Sequence, residues 1–230
     1  MNTDWRSDDG LLSAQSGAHP GRFITLEGGE GAGKTTQLRR LVAWLQEQGV
    51  DPLVTREPGG TAAAERMRGL LLDSANVGLS IDAELLLVFA ARADHLARCI
   101  EPALAAGRWV VCDRFTDATY AYQGGGRGLE RSRIEVLERF VQRGLQPDLT
   151  LLLDLPVAQG LARARQRSSP DRFEAEDLAF FERVRTAYRE IAERSADRVC
   201  LIRADQTEEA VAAEVKACVA RRLLAGVLSR

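Results

Sequence analysis

The sequence predicts an α/β fold built on one parallel sheet with helices over both faces. Three observations carry this. Short apolar runs of strand length alternate along the chain with segments whose leucines and valines return at helical spacing. The runs are apolar at consecutive positions, as strands buried on both faces are, rather than at alternate ones. A glycine loop, Gly28-Gly29-Glu30-Gly31-Ala32-Gly33-Lys34-Thr35-Thr36, joins the first run to the first helix.

The elements follow in order. Met1 to Gly21 is polar, with glycine, serine, acidic residues and Pro20, and is expected as a disordered tail outside the fold. Residues 22–230 are expected to form a single domain. Phe23-Ile24-Thr25-Leu26 is the first strand, and Leu38, Leu41, Val42 and Leu45 mark the helix behind the loop, stopped by Gly49. Pro52-Leu53-Val54-Thr55 is the second strand, broken at Arg56-Glu57-Pro58-Gly59-Gly60. Thr61 caps a helix carrying Met67, Leu70, Leu71 and Leu72. Asp82 to Leu104 reads as one long buried helix, interrupted by Arg92, Asp94 and His95 and ended by Gly107. Trp109-Val110-Val111-Cys112 is the third strand, ending at Asp113-Arg114. A polar, aromatic stretch with Tyr120-Ala121-Tyr122-Gln123 and three glycines follows, before helical spacing resumes from Ile134 to Val141. Leu149 to Leu155 is the fourth strand, Leu178 to Ile191 a helix stripe, and Val199-Cys200-Leu201-Ile202 the fifth strand. Thr207 caps a last helix with Val211, Val215 and Val219 on one face.

Composition narrows the function classes. A net charge of −2 leaves no global positive field to draw the chain to nucleic acid. Cys99, Cys112, Cys200 and Cys218 form no C-x-x-C pair and suit reduced thiols in a cytoplasm. Two histidines with no ligand spacing argue against zinc. No apolar run is long enough to span a membrane, and the acidic start has no secretory core.

The loop fits G-x-x-x-x-G-K-[ST]. Glycines let backbone N–H groups converge on phosphate oxygens, and the helix N-terminus adds its dipole. Lys34 would reach the β- and γ-phosphates, and the Thr35 hydroxyl would hold Mg²⁺. Of 31 basic residues only Lys34 and Lys216 are lysines, so the loop keeps a compact point charge in an arginine-rich chain. Ligands of such sheets bind beyond the C-terminal strand ends, where Glu27, Arg56-Glu57 and Asp113-Arg114 should converge. Asp113 is either a Walker-B-type acid for Mg²⁺ or a turn residue. Arg56 and Arg114 are either phosphate ligands or members of surface ion pairs. Arg163, Arg165, Arg167 and Arg172 are either a lid that clamps the transferred group or a solvated face. Phe89 suits the core, His95 a structural hydrogen bond, and Arg92 in the same apolar helix requires a partner.

Taken together, several stretches resemble the bacterial thymidylate kinase family from Arg22 to about Leu224. They are Glu27 to Thr36, Thr55-Arg56-Glu57-Pro58-Gly59-Gly60-Thr61, Ala90-Ala91-Arg92, Asp113 to Asp117, Ala121-Tyr122-Gln123-Gly124 and Pro147-Asp148-Leu149-Thr150. The resemblance implies a P-loop kinase with strand order 2-3-1-4-5, an arginine-rich lid near 160–175, and transfer of the γ-phosphoryl group of ATP to dTMP with Mg²⁺. It implies ATP on Gly28 to Thr36, metal on Thr35 and Asp113, and catalysis by Lys34, Glu30, Arg165 and Arg167. Glu30 would face the acceptor's 3′-hydroxyl. Arg56 and Arg114 resemble the ligands of the dTMP phosphate, and Arg68, Arg92 and Thr119 further parts of its pocket. Gln123 resembles the reader of the thymine edge, which presents one acceptor and one donor to an amide. Gly31 stands where one version of the family has a catalytic arginine, so this chain resembles the version with lid arginines. The usual thymine-stacking position is Val88 here, so either Phe89 takes over or packing on the base is weaker. A homodimer is implied, with Leu85 to Leu104 as the candidate interface. The rivals are a kinase for another nucleoside monophosphate and a non-enzymatic nucleotide switch, the latter lacking an N-K-x-D motif.

Overall fold

The computed structural model describes residues 21–76, 78–165, 172–174 and 176–224. The expected tail therefore lies outside the described residues except for Gly21, which is buried and donates its N–H to Leu104 O. Five strands, β1 (Phe23–Glu27), β2 (Leu53–Arg56), β3 (Val110–Asp113), β4 (Leu149–Asp154) and β5 (Val199–Arg203), form one sheet in the order β2-β3-β1-β4-β5. Every pairing is parallel. The expected order is the observed one.

The consecutive apolar residues of the strands divide between two cores, because side chains alternate faces. Ile24, Val111, Leu151 and Leu153 pack with Leu41 and Leu45 of α1 (Lys34–Glu47) and Val211 and Val215 of α9 (Glu208–Val219). Phe23, Val110 and Cys112 face the other way, onto Leu96, Ile100 and Phe115. Leu152 meets Phe180, Val184 and Tyr188 of α8 (Leu178–Arg194). Leu41 and Leu45 are sealed from water, and truncating either to alanine should cost about 2–5 kcal/mol.

Helix ends obey local chemistry. The Thr61 hydroxyl accepts from Ala64 N at the start of α2 (Ala62–Leu72), and Thr207 does the same for Ala210 N at α9. The long segment of α3 (Ile81–His95) continues as a wide, π-type stretch over Leu96–Ile100 and ends in α4 (Glu101–Ala105). The wide stretch sits directly before Pro102, which cannot donate a backbone bond.

The glycine-rich stretch after β3 is helical throughout. A short α5 (Thr116–Thr119) runs into a π-type stretch over Tyr120–Gly126. Two of its three glycines, Gly125 and Gly126, are demanded by α8. A Cβ on Gly125 would lie 2.6 Å from Ala187 Cβ, and one on Gly126 2.4 Å from the Phe180 ring. Here packing overrides the poor helix propensity of glycine. The remaining helices, α6 (Arg131–Gln142) and α7 (Val157–Arg165), flank β4 in the chain.

The strand register decides where the chemistry falls. Leu26 and Arg56 both stand level with Asp113, so β1, β2 and β3 end together at one edge. The glycine loop, the Glu57 turn and Arg114 leave from that edge.

Candidate active site

The loop after β1 owes its shape to two glycines. Gly28 has φ +138°, and a Cβ there would stand 2.4 Å from Leu153 O. Gly31 has φ +69°, and a Cβ there would stand 2.0 Å from Gly160 O on α7. Any side chain at position 31 is excluded twice, by backbone and by contact.

Lys34 opens α1 and folds back over the loop. Its buried ammonium donates to Gly28 O and Gly29 O, each at 3.0 Å. Burial, reinforced by the nearby Arg114 guanidinium, lowers its pKa from the ordinary lysine value. Lys34 and Thr35 line a cavity of about 250 Å³ that runs from the loop toward α3 and the Tyr120–Gly126 stretch. Ala32 and Gly33 line it too, while Gly28 and Gly29 back onto a small gap toward β4 and α8. Thr36 is half-buried one step along α1.

The phosphate end is a relay of charge. Arg114 takes a left-handed backbone, φ +71°, as β3 ends, and its N–H returns to Leu26 O at 2.9 Å. That turn aims its guanidinium across the sheet edge, where Nη2 donates to Glu30 Oε1 at 2.7 Å and Nη1 to the Tyr188 hydroxyl at 3.2 Å. The Tyr122 hydroxyl donates to the same Glu30 oxygen at 2.7 Å, and its ring lies under the Arg114 guanidinium at 4.8 Å. Beneath them Glu27 is fully buried. It accepts from Tyr188 Oη at 2.7 Å and Phe115 N at 2.6 Å, and burial, with Asp117 nearby, pushes its pKa up to about 8.

The opposite end is lined for a flat polar ligand. Arg92 is sealed in the core, with its guanidinium between the Phe89 and Phe115 rings at 4.8 and 5.0 Å. Its Nε donates to Glu57 Oε2 at 2.7 Å and its Nη2 to the Thr119 hydroxyl at 3.0 Å. Its Nη1 is buried with no hydrogen-bond partner among the described residues. His95 bridges Glu57 Oε1 at 3.0 Å and Thr55 Oγ1 at 2.7 Å, and so holds Glu57 in place. Gln123 lines the same end and donates its amide nitrogen to Glu84 at 2.8 Å. Arg68 lines the cavity and donates to Pro58 O at 2.9 Å; burial, with Arg56 nearby, lowers its pKa.

Some expected residues lie elsewhere. Arg56 is not on the cavity wall: Glu65 takes its guanidinium in a two-pronged pair with the side chain 54% exposed. Phe89 faces away from the cavity, into a core with Leu85 and Ile134, and Val88 lines the wall instead. Successive helix positions point about 100° apart, so a neighbour cannot inherit a facing position. Arg165 ends α7 exposed to solvent and away from the wall. Arg167 lies outside the described residues. Arg163 reaches Ala204 O at 3.4 Å. Arg172 is neither a solvated residue nor a phosphate clamp: it is buried on Glu84 Oε2 and Leu71 O, each at 2.7 Å.

Sequence reasoning passed over Glu84, the pairing of Glu57, and the hydroxyls of Tyr122 and Tyr188. Glu84 had a legible signal, as an acid inside an Ala- and Leu-rich helix. Tyr188 had none, since it also satisfies the apolar stripe of α8.

Asp113 ends β3 and lines the same cavity as Thr35, and its Oδ1 is buried without a hydrogen-bond partner among the described residues. A carboxylate oxygen left free in a cavity that also holds a hydroxyl and a phosphate loop fits a hard cation that takes only oxygen ligands. Among the described residues no three His, Cys, Asp or Glu side chains cluster as a metal cage, so nucleotide oxygens and water would complete such a shell.

A parallel sheet in this order, a phosphate loop leaving its central strand and one cavity running from that loop to α3 define a P-loop kinase for a small phosphorylated acceptor. The family model for thymidylate kinase matches residues 26–215. A thymidylate kinase of Pseudomonas putida (strain GB-1) is 59% identical over 210 residues, 91% of this chain and 98% of that protein. One from Chromohalobacter salexigens is 57% identical over 206 residues, covering 89% and 97%. The crystal structure of thymidylate kinase from Ehrlichia chaffeensis superposes with a TM-score of 0.70 at 34% identity, over 86% of this chain and 98% of that one. This chain belongs to the thymidylate kinase family.

Proposed function

We propose that the chain transfers the γ-phosphoryl group of ATP to dTMP, giving dTDP, with the cavity residues divided between a phosphate end and a base end. The observation that carries the base assignment is the pairing of two atoms at the base end. Arg92 Nη1 is a buried donor without a partner among the described residues, and the nitrogen of Gln123 is committed to Glu84, so the Gln123 oxygen is left as an acceptor. One donor and one acceptor in the same cavity wall complement thymine, which offers O4 as acceptor and N3–H as donor. Cytosine reverses both polarities. Each unmet buried group costs about 1–3 kcal/mol, so two give about a hundredfold discrimination or more.

The roles at the other end follow from charge. Lys34 would leave its two loop carbonyls for the β- and γ-phosphate oxygens and supply a fixed positive charge to the transferred group. Arg114, held by Glu30 and Tyr188, would bind the dTMP phosphate, with Arg68 beside it. Glu30 would meet the 3′-hydroxyl, and Thr119 would steady Arg92 from the cavity wall. Thr35 and Asp113 would hold Mg²⁺, which neutralises charge on the phosphates when bound. Arg167 and Arg165 would supply the lid charge, and Arg56 would join the acceptor phosphate only by leaving Glu65.

Exposed Leu86 on α3 and Val136 and Phe140 on α6 support a homodimer, since α3 and α6 pack side by side and leave these residues on the surface. Four free thiols and nucleotide substrates support a cytoplasmic setting. Among the described residues no helix is long and apolar enough to cross a membrane.

The test is ADP production with each nucleoside monophosphate in turn. The expected result is a kcat/KM for dTMP about a hundredfold or more above that for dCMP. Equal use of the two would remove the base-pocket assignment.

A further inference from the structure

We propose that Glu84 sets base selectivity without touching the base, by holding the Gln123 amide in the single orientation that leaves an acceptor for the ligand. The inference rests on the thymine reading of the cavity. Glu84 stands in the first turn of α3 with its carboxylate 1% exposed. Its Oε1 accepts from Gln123 Nε2 at 2.8 Å and Arg127 Nε at 3.4 Å. Its Oε2 accepts from Arg172 Nη2 at 2.7 Å and Arg127 Nη2 at 3.4 Å. Arg127 is in turn paired with Glu176, so two carboxylates meet two guanidiniums and the buried charges balance.

The two ends of a glutamine amide are nearly equal in size, so shape alone does not choose between them. A carboxylate chooses, because it only accepts. The end of Gln123 that meets Glu84 must therefore be nitrogen, and the oxygen is left for the cavity. A base with a donor at that edge is matched, and one with an acceptor there is opposed. Two arginines on the same carboxylate hold it in place, so the preference is built in before a ligand arrives.

The same carboxylate is also tied to another part of the cavity wall. Arg172, on Oε2, donates Nε to Leu71 O at 2.7 Å and its backbone N–H to Leu72 O at 3.2 Å. Its guanidinium lies over the Phe173 ring at 4.5 Å, and Leu71, Leu72 and Phe173 all line the cavity. Glu84 thus connects the base-reading amide and this part of the wall through one group.

The experiment is steady-state kinetics of Glu84→Gln with dTMP and dCMP at saturating ATP, beside the wild type and Gln123→Met. A glutamine at 84 can offer either end to Gln123, so the amide loses its imposed orientation. The KM for dTMP should rise about tenfold with kcat within about threefold, the signature of lost positioning in binding. The ratio of kcat/KM for dTMP over dCMP should fall by about tenfold, the worth of one misdirected hydrogen bond. In the Gln123→Met background the same change at 84 should leave that ratio untouched, because there is no amide to orient. An unchanged ratio in Glu84→Gln, or an equal fall in both backgrounds, overturns the proposal while the thymine reading stands. A wild type without preference for dTMP overturns both. Should Glu84→Gln not fold by circular dichroism, Glu84→Asp draws the carboxylate back by one methylene and is held to the same ratio.

Discussion

Arg92 donates through Nε to Glu57 Oε2 across 2.7 Å, and the two side chains are 1% and 3% exposed. Neither charge reaches water, so each depends on the other. His95 occupies the second Glu57 oxygen. Removing one member of a buried pair strands the other, which costs about 3–5 kcal/mol. Glu57→Ala should therefore destabilise the fold by about that amount in urea unfolding and raise the KM for dTMP, because Arg92 loses its anchor. A loss under about 1 kcal/mol would mean that the pair is no anchor.

Lys34→Ala should leave the far-ultraviolet circular dichroism unchanged, since the ammonium binds only loop carbonyls. Turnover should fall by orders of magnitude, because no other cation in the loop takes its place on the transferred group. Near-normal turnover would take the loop out of the mechanism.

Arg167→Ala should lower kcat about 10³-fold with little change in the KM for dTMP, as loss of a charge that acts in the transition state does. Arg165→Ala should cost less, because Arg165 ends α7 in solvent and away from the cavity wall. A double variant with full kcat would assign both to a solvated face.

Glu27 makes stability depend on pH. Its pKa in the fold is raised from 4.5 to about 8, chiefly by burial and then by Asp117. A raised pKa means that the fold binds a proton the unfolded chain releases. Its contribution is complete below pH 4.5 and is lost as pH rises through about 8. Glu27→Gln copies the protonated form, so its Tm should be flatter than that of the wild type from pH 5 to 9 and exceed it most at pH 9. A Tm difference that stays constant or shrinks with rising pH would show that Glu27 is not the group responsible.

Much of the site could be read along the chain because it is made of local motifs. The phosphate loop must be contiguous, since its N–H groups have to converge on one anion, and Arg92, Arg68, Arg114, Thr119 and Gln123 all reach the cavity wall. What could not be read was which neighbour each charge takes. Arg56 and Arg114 end adjacent strands and look alike in sequence, yet Glu65 binds one at the surface and Glu30 the other inside the cavity. Arg172 looked like part of an exposed basic run and is buried on a carboxylate 88 residues away. Phe89 sits beside Val88 in sequence and on a different side of the helix.

The sequence by itself determined the sheet, its element order and the loop. Those follow from side-chain periodicity, caps and glycine conformations, which act within a few residues. Only the tertiary structure decided the polar interior: that Glu84 meets Gln123, that Glu57 meets Arg92, and that Tyr188 meets Glu27. Apolar burial tolerates many partners, because it depends on area removed from water. A buried charge or amide accepts only a donor or acceptor at the right distance and angle. That partner comes from wherever the folded chain delivers it, and no spacing along the sequence records the meeting.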